Sequence, residues 1–203
     1  MKVNVTIPES LSEIKLGSWQ RFSKIESPDA LDVLECFAGV ARENSRKLNY
    51  KQVEKISTDI LKIFEVDQGG FKTKFTLNGK KFGFVTNMDS LTYGEFEDLT
   101  TYSASHDTLH RTMAVLYRPI TFENSKVYDI ESYEGTDKYA NDMLDVPLDI
   151  AFGSSVFFYS LLNDLLSDTQ TYIEKEVMNK MMQDYQLSQH SLLTGEATTN
   201  YSC

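Results

Sequence analysis

This sequence of 203 residues is poor in cysteine, histidine and positive charge, and each shortage excludes something. Cys36 lies inside an apolar run and Cys203 at the last position, so no disulfide framework is indicated and a reducing compartment fits best. His106 and His110 stand four apart in "HDTLHRTMAVLYRPI", a spacing that on a helix brings two imidazoles toward one ion. A zinc site needs a third protein ligand, and the diagnostic motif places Glu directly after its first histidine, where this chain has Asp107. The remaining histidine, His190, falls in a stretch without periodicity. The pair therefore reads as part of a core helix, and no metal or cofactor is expected.

Lysine and arginine total 20 against 30 acids, for a net charge of −10. Residues 1 to 50 balance at seven of each sign, whereas residues 86 to 149 hold four bases against thirteen acids, a balance of −9. Such a stretch repels phosphate backbones, so nucleic acid is not an expected partner. It suits a solvated surface or a docking face for a basic protein. Nucleophile and phosphate motifs are missing too: there is no G-x-S-x-G, no Walker loop, no G-x-G-x-x-G and no cysteine paired with a nearby histidine. The opening "MKVNVTIPES" is too short and too polar for a signal peptide. "DIAFGSSVFFYSLLNDLL" (149 to 166) approaches the length of a membrane span. Asp149, Ser154, Ser155, Asn163 and Asp164 interrupt it and no basic flank orients it, so it reads as a buried helix, apolar nearly all round.

What is present is enough apolar and aromatic content, 41% and 12%, for a real core. "VNVTI" (3 to 7) alternates like a short strand, and Gly17 weakens any helix in the segment after it. Ser27 is a plausible N-cap with Pro28 at the first helical position, followed by Leu31, Val33, Leu34 and Phe37 at helical spacing. Asn49 caps a second stripe of Val53, Ile56, Ile60, Ile63 and Phe64. At 71 to 85 the period changes to 2, and Asn78-Gly79 signals a hairpin. "SKVYDIESY" (125 to 133) is a further strand candidate. Between them stand two short helices, the first with Thr92 as cap and Glu95 as capping-box partner, the second carrying Leu109, Met113, Leu116 and Ile120 to an Arg-Pro stop. The expected fold is α+β, mostly helical, with helices packed on a small antiparallel sheet. A single domain spans 1 to 185, ending in a long helix from about 147 to 183, and 186 to 203 form a flexible tail.

Within "GEFED", Glu95 and Asp98 share a helix face and could divide acid and base work, although a first helical turn favours acids for its dipole alone. An enzyme would be built from Glu95, Asp98, His106, His110 and Arg111 gathered around a cleft. No third group accompanies the carboxylates in the sequence pattern, so no catalytic residue is assigned.

"GKKFGFVTNMDSLTYGEFEDLTTY", "LHRTMAVLYRPI", "YDIESYEGT" and "PLDIAFGSSVFFYSLLNDLL" together resemble a group of small tailed-bacteriophage virion structural and assembly proteins from phages of Bacteroidota and marine bacteria, some of them similar to tail assembly chaperones. The resemblance covers roughly residues 75 to 166 and carries no catalytic signature. It implies a non-enzymatic morphogenesis protein, a tail assembly chaperone or a minor tail or neck subunit. Its partners would be the tape measure, tail tube or neighbouring virion subunits, or further copies of itself, in the host bacterial cytoplasm during assembly or in the virion. The alternative is a phage-encoded acidic inhibitor of a host protein. Beyond residue 167 the resemblance has no counterpart. There Ile173, Val177 and Met181 repeat at helical spacing, with Met178 and Met182 widening the stripe, and these five residues are expected to face a partner chain.

Overall fold

Asn78 and Gly79 turn the chain with φ of 49° and 77°, the doubly left-handed geometry that matches the twist of a two-residue hairpin. The strands they join are β1 (Lys74–Leu77) and β2 (Lys80–Phe84). The computed structural model describes residues 6–66 and 70–161. The chain divides into two units, 1–156 and 157–203, and in the second the described residues are the helical segment 157–161. The sheet and the helices that pack on it belong to the first unit.

The amino-terminal part of that unit is helical: α1 (Leu16–Ser23), α2 (Ala30–Phe37), α3 (Arg42–Ser45) and α4 (Tyr50–Val66). Phe22, Phe37 and Phe64 join α1, α2 and α4 through tilted ring contacts at 4.9 and 5.3 Å. Then come the hairpin, α5 (Tyr93–Tyr102), α6 (Leu109–Leu116), β3 (Tyr117–Glu123), β4 (Tyr128–Ile130), α7 (Ala140–Met143) and α8 (148–156). The sheet is antiparallel in the order β1-β2-β3-β4. The fold is therefore α+β, mostly helical, with helices against a small antiparallel sheet.

Several local expectations are corrected. Gly17, expected to weaken any helix here, sits inside α1. Its N–H donates to the Leu144 carbonyl at 2.8 Å, and an added Cβ would lie 3.1 Å from that oxygen, so glycine is what lets the two segments approach. The cap of α2 is Asp29, not Ser27. Its carboxylate accepts from the N–H of Leu31 and Asp32, while the Asp32 side chain reaches back to the Asp29 N–H. Thr6 and Ile7 are not in a strand, and residues 3 to 5 lie outside the described range. Asn49 does cap α4, its Oδ1 accepting from the Lys51 N–H at 3.0 Å.

The largest correction falls at "LYRPI". The helix stops at Leu116, and Tyr117 to Glu123 form β3, an inner strand of the sheet, with Pro119 opposite Phe82. Proline lacks a donor, but its carbonyl still accepts from the Glu131 N–H at 2.9 Å, and the ladder shifts register directly after it, between Ile120 and Phe122. Ile120 thus belongs to the sheet, not to the helical stripe.

One face of the sheet carries Phe75, Phe82, Phe84 and Tyr117, with Phe75 to Phe82 stacked at 5.6 Å and Tyr117 edge-on to Phe75 and Phe84 at 4.9 and 5.2 Å. Helix α8 lies against this face: the Tyr117 hydroxyl meets the Ser154 hydroxyl at 2.6 Å and donates to the Lys72 carbonyl at 2.5 Å. Leu148, Ile150, Ala151 and Ser154 of α8 are buried, but Val156 is 59% exposed, so the helix is not apolar and covered all round. Its expected course to residue 183, the tail from 186, and Ile173, Val177, Met178, Met181 and Met182 lie outside the described residues. Among the described residues no helix is long and apolar enough to cross a membrane.

On the other face, Tyr128 of β4 lies across Gly83 and donates to the Phe84 carbonyl at 2.8 Å. A Cβ on Gly83 would stand 2.5 Å from the Tyr128 ring. Gly83→Ala is expected to displace that ring and cost roughly 1–3 kcal/mol of stability in urea unfolding, the usual penalty of overpacking. A neutral result would show that the ring is free to move.

Candidate functional site

Strand β3 turns successive side chains to opposite faces. Tyr117 points to α8, so Arg118 points the other way, toward Glu95 of α5. A guanidinium there has lost its water and requires a counter-charge. Glu95 supplies it: its Oε1 lies 2.7 Å from Arg118, and the two side chains are only 4% and 9% exposed. The second carboxylate oxygen of Glu95 accepts from the N–H and the hydroxyl of Thr92, both at 2.7 Å, and the Thr92 hydroxyl accepts in turn from the Glu95 N–H at 3.3 Å. One acid therefore closes the capping box of α5 and neutralises the buried arginine of β3.

Around this pair the loop from 131 to 139 is drawn in. The Tyr133 ring lies 5.6 Å from the Arg118 guanidinium, and its hydroxyl donates to Asp98. Burial, and then the Asp98 carboxylate, raise the Tyr133 phenol above its ordinary range, which keeps it a neutral donor. Farther along the loop, Arg111 of α6 binds Thr136 at 2.9 Å and Asp137 at 2.8 Å and sits 5.2 Å from the Tyr102 ring. Tyr139 donates to Glu131, which also holds Lys138 at 2.6 Å. The three segments "LTYGEFEDL", "LYRPI" and "ESYEGT" meet here. What they build is a polar joint between helix, sheet and loop.

Comparison with protein-family models, with curated proteins and with solved structures finds no match for this chain.

The five residues considered for an enzyme separate into different surroundings. Glu95 and Asp98 share the joint, each with a partner of its own. Arg111 holds the loop. His106 leaves the α6 helix for a 3-10 turn (His106–Thr108), where its ring meets Trp19 edge-on at 5.4 Å and its carbonyl accepts from Gln20 at 2.6 Å. His110 stays on α6 and is half-buried, its Nδ1 without a hydrogen-bond partner. Burial first, then the Arg111 and Lys24 charges, lower its pKa. The two imidazoles thus lie on separate elements, and among the described residues no group of three His, Cys, Asp or Glu side chains is placed to hold a metal ion. Arg118 and Tyr133 do not stand out in the sequence as site residues. The signal for Arg118 is an arginine flanked by "MAVLY" and "PI", since a lone charge in an apolar run implies a buried partner.

The outward side of α5 is the reverse of this joint. Tyr93 is 81% exposed and Phe96 52%, three residues apart on one face, while Glu95 and Leu99 are buried on the other. Removing either member of the ion pair strands a buried charge, so Glu95→Ala and Arg118→Ala are each expected to cost about 3–5 kcal/mol. The double variant should lose roughly 1–3 kcal/mol less than the sum, read by urea unfolding in a double-mutant cycle. Strict additivity would mean that the two side chains are energetically independent.

Proposed function

We propose that this chain is a non-enzymatic morphogenesis protein of a tailed bacteriophage, acting as a tail assembly chaperone or a minor tail or neck subunit. The observation that carries the reading is α5, fixed on its inner side by a buried ion pair and exposing Tyr93 and Phe96 on its outer side. Large aromatic side chains held on a rigid element are what protein interfaces use as anchors, because little conformational entropy remains to be lost on contact. A helix with no partner would gain nothing from such residues in water.

The resemblance to phage assembly proteins runs through the same segments that build the joint, which connects the two lines of support. On this reading the partner is a phage protein: the tape measure, the tail tube, a neighbouring virion subunit, or another copy of the chain. Assembly takes place in the host bacterial cytoplasm. A chaperone would release its partner before the particle matures, whereas a subunit would remain.

A phage encoding Tyr93→Ser with Phe96→Ser should give particle yields at least about ten-fold lower, the scale of losing one interface anchor. The purified variant should keep its wild-type unfolding midpoint, as surface substitutions generally do. Normal yields would overturn the proposal. Mass spectrometry of purified wild-type particles then separates the two roles: a chaperone is missing from them, and a subunit is present at fixed copy number.

A further inference from the structure

The outward face of α5 carries two aromatic side chains, two threonines and one charge. Winding at 3.6 residues per turn places Phe96, Thr100, Tyr93, Glu97 and Thr101 side by side on it, all exposed. Both threonine hydroxyls donate to the Glu97 carbonyl, at 2.8 Å each, and so are satisfied within the helix. The carboxylate of Glu97 has no ion-pair partner among the described residues. The two arginines that neighbour the joint pair elsewhere, Arg118 with Glu95 at 2.7 Å and Arg111 with Asp137 at 2.8 Å. The face therefore combines two aromatic anchors with a carboxylate that forms no ion pair among the described residues, on a chain whose net charge is −10.

Phe96 with Thr100, and Tyr93 with Glu97, form two i, i+4 ridges with a groove between them, the surface that another helix fills. Charge then selects which helix. A second copy of the same face would add a second Glu97 and a second chain of net charge −10, and like charge opposes that contact. We propose that this face takes a cationic amphipathic helix of a partner protein, its apolar side over Tyr93 and Phe96 and a Lys or Arg on Glu97. This rests on α5 being the interface named above, and it adds the chemistry of the occupant.

The test uses the full chain and two fluorescein-labelled 18-residue peptides with leucine at helical spacing. The remaining positions are lysine in one peptide and glutamate in the other, and binding is read by fluorescence anisotropy. The lysine peptide should bind, and Phe96→Ser and Glu97→Lys should each weaken it at least about ten-fold, the scale of losing an interface anchor or a paired charge. The glutamate peptide should bind wild type at least about ten-fold more weakly than the lysine peptide and should gain affinity for Glu97→Lys. Glu54→Lys, an exposed acid on α4, should change lysine-peptide affinity by less than about two-fold, as a charge outside the interface does.

Equal loss from Glu54→Lys would reduce the effect to general charge attraction and overturn the inference. So would lysine-peptide binding that neither α5 variant alters, or a glutamate peptide bound as tightly as the lysine one. Particle yields separate the two levels. If the α5 double variant abolishes particles while peptide binding is unaffected, the assembly role stands and the cationic helix falls. If peptide binding is lost while particles form normally, α5 binds such helices and the assembly role falls.

Discussion

Tyr117 and Arg118 are consecutive residues of an inner strand, and the rest of the carboxy-terminal half of the first unit is arranged around them. Their side chains leave the sheet in opposite directions, and each ends in a polar group that cannot stay unpaired once water is gone. Tyr117 is completely buried and satisfied by Ser154 and the Lys72 carbonyl, which fixes α8 on one face. Arg118 is neutralised by Glu95 through one guanidinium nitrogen, its Nε finding no hydrogen-bond partner among the described residues, and that pair ties α5 to the other face. Apolar packing alone would let either helix slide or rotate at little cost. A guanidinium with one acceptable counter-ion admits one placement, which is how a buried ion pair contributes specificity even when its net stability is modest.

That placement has a consequence for the surface. Because Glu95 must face inward, helical geometry sends Tyr93, Phe96 and Glu97 outward. The joint also extends to Asp98 and Tyr133, so the loop after β4 is held against the same helix, while Arg111 of α6 holds that loop at Thr136. The outer face of α5 is thereby presented by a rigid base, the condition under which exposed aromatics bind without first having to be ordered. The buried network and the exposed face are two sides of one constraint.

Much of this was legible in the sequence. The Asn78-Gly79 turn, the Asn49 cap and the Thr92–Glu95 capping box are local chemistry, written within a few residues, and all three appear in the structure. What could not be read were features that depend on residues far apart in the chain. Gly17 reads as a weak point for a helix until Leu144 is placed beside it. In "MAVLYRPI" the helical stripe runs on in sequence, yet from Tyr117 the chain becomes a strand because β2 and β4 are there to pair with it. Glu95 was visible as a cap, but Arg118, its partner 23 positions away, was not. The histidine pair was equally deceptive: four residues apart, yet divided by a 3-10 turn that Ser105 caps.

Native-state hydrogen exchange on Arg118→Met tests most directly whether the ion pair is what fastens α5. In the wild-type protein the amides of α5 and β3 should exchange with the same free energy, because the helix opens only when the strand does. In the variant the α5 amides should fall below those of β3 by about 2 kcal/mol or more, the scale of a buried charge left without its partner, while α4 and β3 remain matched to each other. If α5 stays as protected as β3 without Arg118, the helix is held by apolar packing and the ion pair does not set its position.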